Sequence, residues 1–313
     1  MRTLIVHNPR SGFGSDYIYE FERALLQDGD ECVFRILTEK PSDDVERLAD
    51  AEEFDLVVVS GGDGTVSHAL YTLRGRGVRT CVFPSGTANL LAANIGCAAE
   101  PAAIAKACRD DLTFDADLAE MRWTDTSGDE HLEGFALMAG SGFDAQLMHD
   151  AIPAKQILGE AAYFAAALSN LRPTVYHFTI EVDGVVHEHD GISCIIANTA
   201  MIQGDIEIVP DCVMNDGKLD LIVLETTDAA QLLLPIVAGI VDPTGRSAKR
   251  PHITTYSGAT IRVTSDKPMR VEIDGDVTVG ETTSWEARSL PGCCPVVIDG
   301  MSRYSTGASR AKA

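Results

Sequence analysis

Phe54 to Leu73, FDLVVVSGGDGTVSHALYTL, is the stretch that most constrains this chain. Mostly apolar, β-branched residues run into Gly61-Gly62-Asp63-Gly64-Thr65, and Val66, Ala69, Leu70 and Leu73 then recur on one side of a helical pattern. A buried strand, a glycine turn and a helix follow from that order. Such a junction suits an anion. Glycines let the backbone come close, and the free N–H groups of the helix's first turn, at its positive dipole end, point at the bound charge.

Three further strand-helix pairs flank it. Thr3 to His7 reads as a strand, Asn8-Pro9-Arg10-Ser11-Gly12-Phe13-Gly14 as a turn-rich loop, and Tyr17, Phe21, Ala24 and Leu25 as one side of a helix. Glu31 to Leu37 alternates as a strand ending at Thr38-Glu39-Lys40, and Asp43 to Ala51 reads as a helix capped by Ser42. Val78 to Phe83 is a short strand running into Pro84-Ser85-Gly86-Thr87-Ala88-Asn89, with an apolar helix from Leu90. Four β-α pairs imply a parallel sheet with right-handed crossovers and helices on both faces. The loops after the strands then gather along one edge, where ligands bind. Three of them are rich in Gly, Ser, Thr and Asn, which favours phosphate. Neither G-x-x-x-x-G-K-[ST] nor G-x-G-x-x-G occurs, which excludes a P-loop NTPase and a dinucleotide fold of that type.

From about Asp115 the rhythm changes. Leu118–Thr124, Gly134–Met138, Thr174–Val182, Val185–His189, Ser193–Asn198, Leu219–Leu224, Thr260–Thr264, Met269–Ile273 and Val296–Ile298 read as short strands, separated by turns such as Ser127-Gly128, Asp183-Gly184 and Asp216-Gly217. That spacing indicates a mainly antiparallel sandwich. Helices are expected around Gln156 to Leu171 and Ala229 to Val241. The fold class is therefore α/β plus all-β: an α/β domain over 1–115, a β-sandwich over 116–295, and a segment from about 296 to 313 that packs back on the first.

Charge and composition exclude several roles. A net charge of −22 repels nucleic-acid phosphate, and no basic face offsets it. No stretch reaches the roughly 18 to 20 apolar residues of a membrane span, and Ala229 to Val241 is short and interrupted by Pro235. Met1 to Val6 enters a strand at once, without a signal-peptide pattern. The eight cysteines lack C-x-x-C spacing, which argues for a reducing cytoplasm and against a zinc site; Cys293-Cys294, the one adjacent pair, reads as packing.

Six motifs carry a resemblance: Asn8-Pro9-x-Ser11-Gly12, Ser60-Gly61-Gly62-Asp63-Gly64-Thr65, Pro84-Ser85-Gly86-Thr87-x-Asn89, Gly142-Phe143-Asp144-Ala145, Asn215-Asp216-Gly217-Lys218-Leu219-Asp220 and Asp274-Gly275-Asp276. In this order they resemble the diacylglycerol kinase and sphingosine kinase superfamily, most closely its soluble bacterial YegS- and DgkB-like lipid kinases, over nearly the whole chain. The glycine turn alone is shared with NAD kinases and phosphofructokinases; the six together are specific. The resemblance implies a nucleotide-binding α/β domain and a β-sandwich with catalysis in the cleft between them, and transfer of the ATP γ-phosphoryl group to a lipid hydroxyl with Mg²⁺.

By the same resemblance, ATP is expected at Asn8, Pro9, Arg10, Ser11, Gly12, Thr38, Gly61, Gly62, Asp63, Gly64, Thr65, Val66, Ser67 and Thr87, with Asp63 facing the metal and phosphates. Asp274 or Asp276 is expected to be the general base; relatives usually carry D-G-E, and the last residue here is one methylene shorter. Asp-Gly also suits a plain hairpin turn. Val213, Asp216 and Lys218 correspond to a structural Mg²⁺ site of some relatives, one carboxylate beside two carbonyls. Asn89-Leu90 departs from the relatives' Asn-Asp and removes a carboxylate from the metal network. The expected substrate is a lipid presented at a membrane surface to a cytoplasmic or peripheral enzyme of phospholipid metabolism, either monomer or homodimer. Two other readings stand beside it: an NAD kinase-like enzyme, and a catalytically silent lipid- or nucleotide-binding regulator. His7 is placed to line a nucleotide pocket and His68 to pack or face solvent, while Ser141 lacks the G-x-S-x-G context of a hydrolase nucleophile.

Overall fold

The computed structural model describes residues 1–12, 16–38, 43–143, 173–203, 206–207, 209, 211–226, 251–306 and 309–310. The helices expected at 156–171 and 229–241, the Ser42 cap, and Asp144 and Ala145 lie outside those residues. The chain divides into two compact units: Met1–Leu118 with Met214–Asp216 and Leu290–Ala313, and Ala119–Val213 with Gly217–Ser289.

In the first unit, β1 (Arg2–His7), α1 (Tyr17–Leu25), β2 (Glu31–Ile36), α2 (Asp43–Arg47), β3 (Leu56–Gly61), α3 (Asp63–Leu73), β4 (Thr80–Pro84) and α4 (Leu90–Ile95) alternate. The strands lie in the order β2-β1-β3-β4 and pair in parallel. Leu56 to Gly61 is buried along its whole length, which is why β3 reads as an unbroken apolar run. Ile18, Phe21 and Leu25 of α1 pack with Ile5, Val58 and Phe83 beneath them. The helix expected over Asp43–Ala51 is shorter, with a separate 3-10 turn at Ala51–Glu53. A further helix, α5 (Pro101–Asp110), follows α4; Pro101 occupies its first turn, where a missing N–H costs nothing. The chain's last part belongs to this unit: Val296 pairs in parallel with Thr80, and Tyr304 stacks on Phe114 at 4.2 Å.

The second unit is a sandwich. Its strands are β5 (Leu112–Thr124, from Ala119 on), β6 (Glu130–Phe135), β7 (Met138–Gly142), β8 (Tyr176–Val182), β9 (Val185–Gly191), β10 (Ser193–Ala197), β11 (Met201–Gln203), β12 (Ile206–Glu207), β13 (Leu219–Leu224), β14 (Ile253–Gly258), β15 (Thr260–Met269), β16 (Val271–Ile273), β17 (Asp276–Val277) and β18 (Thr282–Val297, as far as Ser289). A last short strand, β19 (Ser309–Arg310), returns to the first unit. One sheet runs β14-β13-β10-β7-β16-β17, and its pairings are antiparallel. Opposite it, β18, β15, β8 and β9 pair antiparallel in sequence. Period-two alternation puts Phe178 and Ile180, Ile261 and Val263, and Cys194 and Ile196 into one buried core with Trp285. Ser141 belongs to that core. Its hydroxyl takes the Trp285 indole N–H at 2.8 Å and is fully buried, so it satisfies a tryptophan.

Candidate functional site

Parallel register brings three loops to one edge of the first unit. His7 stands beside Ser60, Ser60 beside Phe83, and Gly61 beside Pro84, so the chain leaves β1, β3 and β4 at one level. The loops are then bonded to one another. Asn8 N–H donates to Ser60 O (2.8 Å), Asn8 Nδ2 to Thr65 Oγ1 (2.9 Å), Gly62 N–H to Ser11 Oγ (3.0 Å), and Ser60 Oγ to Ser85 Oγ (3.0 Å). His7 Nδ1 lies 2.9 Å from Ser60 Oγ; with the Ser60 proton directed at Ser85, Nδ1 carries the hydrogen and donates. Burial pushes the His7 imidazole below its ordinary pKa, partly opposed by a hydrogen bond to the Ser60 backbone. Arg10 reaches across to Thr38 O at 2.9 Å and ties the loop after β1 to the end of β2.

Glycine is required at two of these contacts. Gly12 has φ +67°, and a Cβ there would lie 2.3 Å from Ser85 O. Gly86 has no unusual φ, but its Cβ would lie 2.6 Å from the Gly62 Cα, so the loops after β3 and β4 touch backbone to backbone. Asn89 holds that contact: its Oδ1 accepts Gly86 N–H (2.7 Å) and its Nδ2 donates to Gly86 O (3.0 Å).

At the centre of the three loops sits the start of α3. Gly62 supplies no side-chain cap, and the first helical N–H satisfied within the helix is Val66, by Gly62 O at 3.0 Å. The N–H groups of Asp63, Gly64 and Thr65 are left without an intrahelical acceptor at the positive end of the helix, the arrangement that binds phosphate. Pro9, Arg10, Gly12, Thr38, Gly64 and Thr87 are exposed around it. Val66 and Ser67 turn their side chains inward and are buried, so only their backbone is offered to a ligand.

Asp63 stands in the first turn of α3 with Oδ1 accepting the Leu91 N–H at 2.9 Å, which caps the start of α4. Among the described residues Oδ2 has no hydrogen-bond partner, and a carboxylate oxygen so placed beside outward N–H groups fits a hard cation that accompanies phosphate. The described residues hold no cluster of three or more His, Cys, Asp or Glu side chains able to bind a metal alone. Val213, Asp216 and Lys218 lie in the turn preceding β13, with Asp216 and Lys218 exposed and Gly217 at φ +75°. A carboxylate and two carbonyls are the oxygen donors Mg²⁺ takes.

In the second unit, Asp274 and Gly275 form the two-residue turn between β16 and β17, both with positive φ (47° and 94°), and Ile273 pairs with Asp276. That is the geometry Asp-Gly hairpins adopt. The turn leaves more to account for, because the Asp274 carboxylate accepts three backbone N–H groups: Leu137 (2.9 Å) and Met138 (3.0 Å) on Oδ1, Ala136 (3.0 Å) on Oδ2. Charge-assisted bonds of this kind fix its orientation. Asp276 is exposed and has no side-chain hydrogen bond among the described residues.

Asp117, which its sequence position does not single out, is buried. Its Oδ1 accepts Gly292 N–H (2.6 Å) and its own N–H donates to Met214 O (2.6 Å), joining three distant parts of the first unit. His68 is exposed on α3, and Cys294 is buried in β18, its thiol on Leu70 O.

Comparison with known proteins matches this architecture at both levels. Residues 2–121 match the diacylglycerol kinase catalytic domain, and residues 138–298 match the YegS C-terminal NAD kinase beta sandwich-like domain. A Bacillus subtilis diacylglycerol kinase is 25% identical over 88% of this chain and 89% of its own length. An uncharacterized Synechocystis protein is 29% identical over 78% of this chain, which spans only 54% of that protein. The crystal structure of a diacylglycerol kinase from Bacillus anthracis superposes with a TM-score of 0.64 at 17% identity, covering 96% of this chain and 97% of the other. The chain belongs to the YegS-like diacylglycerol kinase family.

Proposed function

We propose that this protein transfers the γ-phosphoryl group of ATP to the hydroxyl of a lipid, diacylglycerol or a close relative, with Mg²⁺. The observation that carries the reading is the convergence of three bonded loops on the uncapped start of α3. Phosphoryl transfer passes through a loose transition state, so the protein's task is to hold phosphate oxygens and offset charge. The outward N–H groups of residues 63–65 take the phosphates, with Ser11, Thr87 and Arg10 at the rim. Asp63 Oδ2 is assigned as a ligand that would hold Mg²⁺, which when bound would supply positive charge against the phosphate oxygens. Asp216, with the carbonyls of Val213 and Lys218, is assigned to a second, structural Mg²⁺.

The acceptor hydroxyl must lose a proton as its oxygen bonds to phosphorus. We assign that proton to Asp274. Three backbone N–H bonds preorganise its carboxylate, while Asp276 is unanchored and exposed, and a base held in one orientation is the more effective. A loose transition state asks little proton affinity of it.

Separating the two roles tests the reading. Asp63→Asn is expected to weaken the Mg²⁺ dependence of ATP binding and to abolish turnover, whereas Asp274→Asn is expected to bind ATP normally and to lose about 10²–10⁴-fold in turnover. Calorimetry with a non-hydrolysable ATP analogue and assay of lipid phosphorylation read the two. ATP binding insensitive to both Mg²⁺ and Asp63 would sink the donor-site assignment.

A further inference from the structure

Behind the loop after β4 the first unit contains a cavity of about 230 Å³, set between α4, α5 and β4. Ala88, Asn89, Ala99, Ala107, Val297 and Asp299 are among the residues that line it. Small side chains create the space, and the wall is mainly apolar. At one end Asp299 is already satisfied: Oδ2 accepts Ala98 N–H (2.8 Å), and Oδ1 accepts Met301 N–H (2.8 Å) and Ser302 N–H (3.2 Å). A carboxylate so engaged calls for no cationic ligand, and it disfavours an anionic one in a chain of net charge −22. The chemistry left is neutral and apolar. An apolar cavity of about 150 Å³ accommodates benzene, so this one has room for a two-ring aromatic or a short alkyl chain.

Its position connects it to the phosphate loops. Residues 86–91 form a bracket that lines the cavity at Ala88 and Asn89 and touches the glycine turn at Gly86 and Leu91. Asn89 clamps Gly86 through two bonds, Gly86 abuts the Gly62 Cα, and Leu91 N–H holds Asp63 Oδ1. A molecule seated against Ala88 and Asn89 bears on both Gly62 and Asp63.

We propose that this cavity is a binding site for a neutral apolar small molecule and that its occupancy, by restraining the 86–91 bracket, tightens nucleotide binding. The coupling rests on the kinase reading above; the site does not. Linkage makes the effect reciprocal, so nucleotide tightens the ligand by the same factor.

Indole serves as a neutral two-ring probe and indole-3-acetate as its anionic counterpart. Titration of the full chain by NMR, without nucleotide, is expected to show saturable indole binding at residues 88–99 and 104–107, with indole-3-acetate at least tenfold weaker. Ala107→Leu fills the cavity from α5 and is expected to abolish that binding while leaving ATP-analogue affinity, measured without indole, within about twofold. Ala99→Leu, at an exposed position on the same wall, gives the same answer if the α5 variant does not fold. Saturating indole is expected to tighten the analogue about fivefold in the wild type, the low end of ordinary coupling, and not at all in the filled variants. Indole that fails to bind, or that binds both filled variants as it does the wild type, overturns the site. Indole binding with unchanged analogue affinity overturns the coupling. If no nucleotide binds at all, the kinase reading fails, and the nucleotide-free titration still decides the cavity.

Discussion

Gly86→Ala is a probe of the loop junction that leaves backbone strain out. The residue has ordinary φ, so alanine is conformationally acceptable, but its Cβ would lie 2.6 Å from Gly62 Cα and 3.0 Å from Asn89 Oδ1. Carbon atoms pack at about 3.5–4.0 Å, so the loops after β3 and β4 must part by about 1 Å. Forced expansion of a packed contact costs about 1–3 kcal/mol. At about 2–4 °C per kcal/mol for a domain of 150–250 residues, the melting temperature should fall by roughly 2–12 °C. Function should suffer more, because a displacement near 1 Å in a positioning site can cost about 10²-fold in rate. Two controls separate the causes. Gly29→Ala has φ +86° with nothing within 4 Å, so it carries strain alone, about 1 kcal/mol, and normal nucleotide binding. Gly12→Ala combines φ +67° with a 2.3 Å approach to Ser85 O and should be worse than either. Thermal unfolding and calorimetry with an ATP analogue read all three. Wild-type affinity and stability in Gly86→Ala would refute the idea that backbone contact between these loops shapes the anion site.

Three other outcomes follow from the bonds described. Asp274→Asn places an amide where three N–H groups need acceptors and should cost about 1–3 kcal/mol in urea unfolding, while exposed Asp276→Asn should stay within about 0.5 kcal/mol. Because burial depresses the His7 pKa, the unfolded chain takes up a proton that the folded chain resists as pH falls below the ordinary histidine value of 6.5. Stability should therefore decline from pH 7 toward 5 with a contribution of at most about 1.4 kcal/mol per pH unit, and His7→Gln should flatten that part of the slope in chemical denaturation at graded pH. Trp285→Phe removes the indole N–H from the buried Ser141 hydroxyl and should destabilise by about 1–3 kcal/mol, seen as a lower urea midpoint.

Local patterns made the loops of the first unit legible in the sequence. β3 is an apolar run because both of its faces are buried, and Gly61 to Thr65 must turn sharply into α3, so strand, loop and helix are all written into adjacent residues. The loops after β1 and β4 share that local code. What escaped depends on partners far away in sequence. Only Val296–Ile298 reads as a strand near the end of the sequence, whereas β18 runs from Thr282 to Val297, and within it the Gly292 N–H finds the Asp117 carboxylate 175 residues earlier. Asp274-Gly275 looks like a hairpin turn and is one, and nothing near it announces the three N–H groups of 136–138 that its carboxylate collects. α5 was hidden for a simpler reason: its alanines at Ala102, Ala103, Ala105 and Ala107 blur the apolar stripe that marks a helix. Ala107 also lines the cavity beside α4, which no periodicity could show.

Transfer of phosphate from ATP to a lipid hydroxyl can be read in a single assay. The purified full chain, ATP labelled at its γ-phosphorus, Mg²⁺ and vesicles containing diacylglycerol are incubated, and the organic phase is extracted. Label is expected in phosphatidic acid, dependent on Asp63 and Asp274. Label that stays in the aqueous phase across diacylglycerol, sphingoid-base and polyprenol vesicles, with nucleotide binding intact, would contradict it.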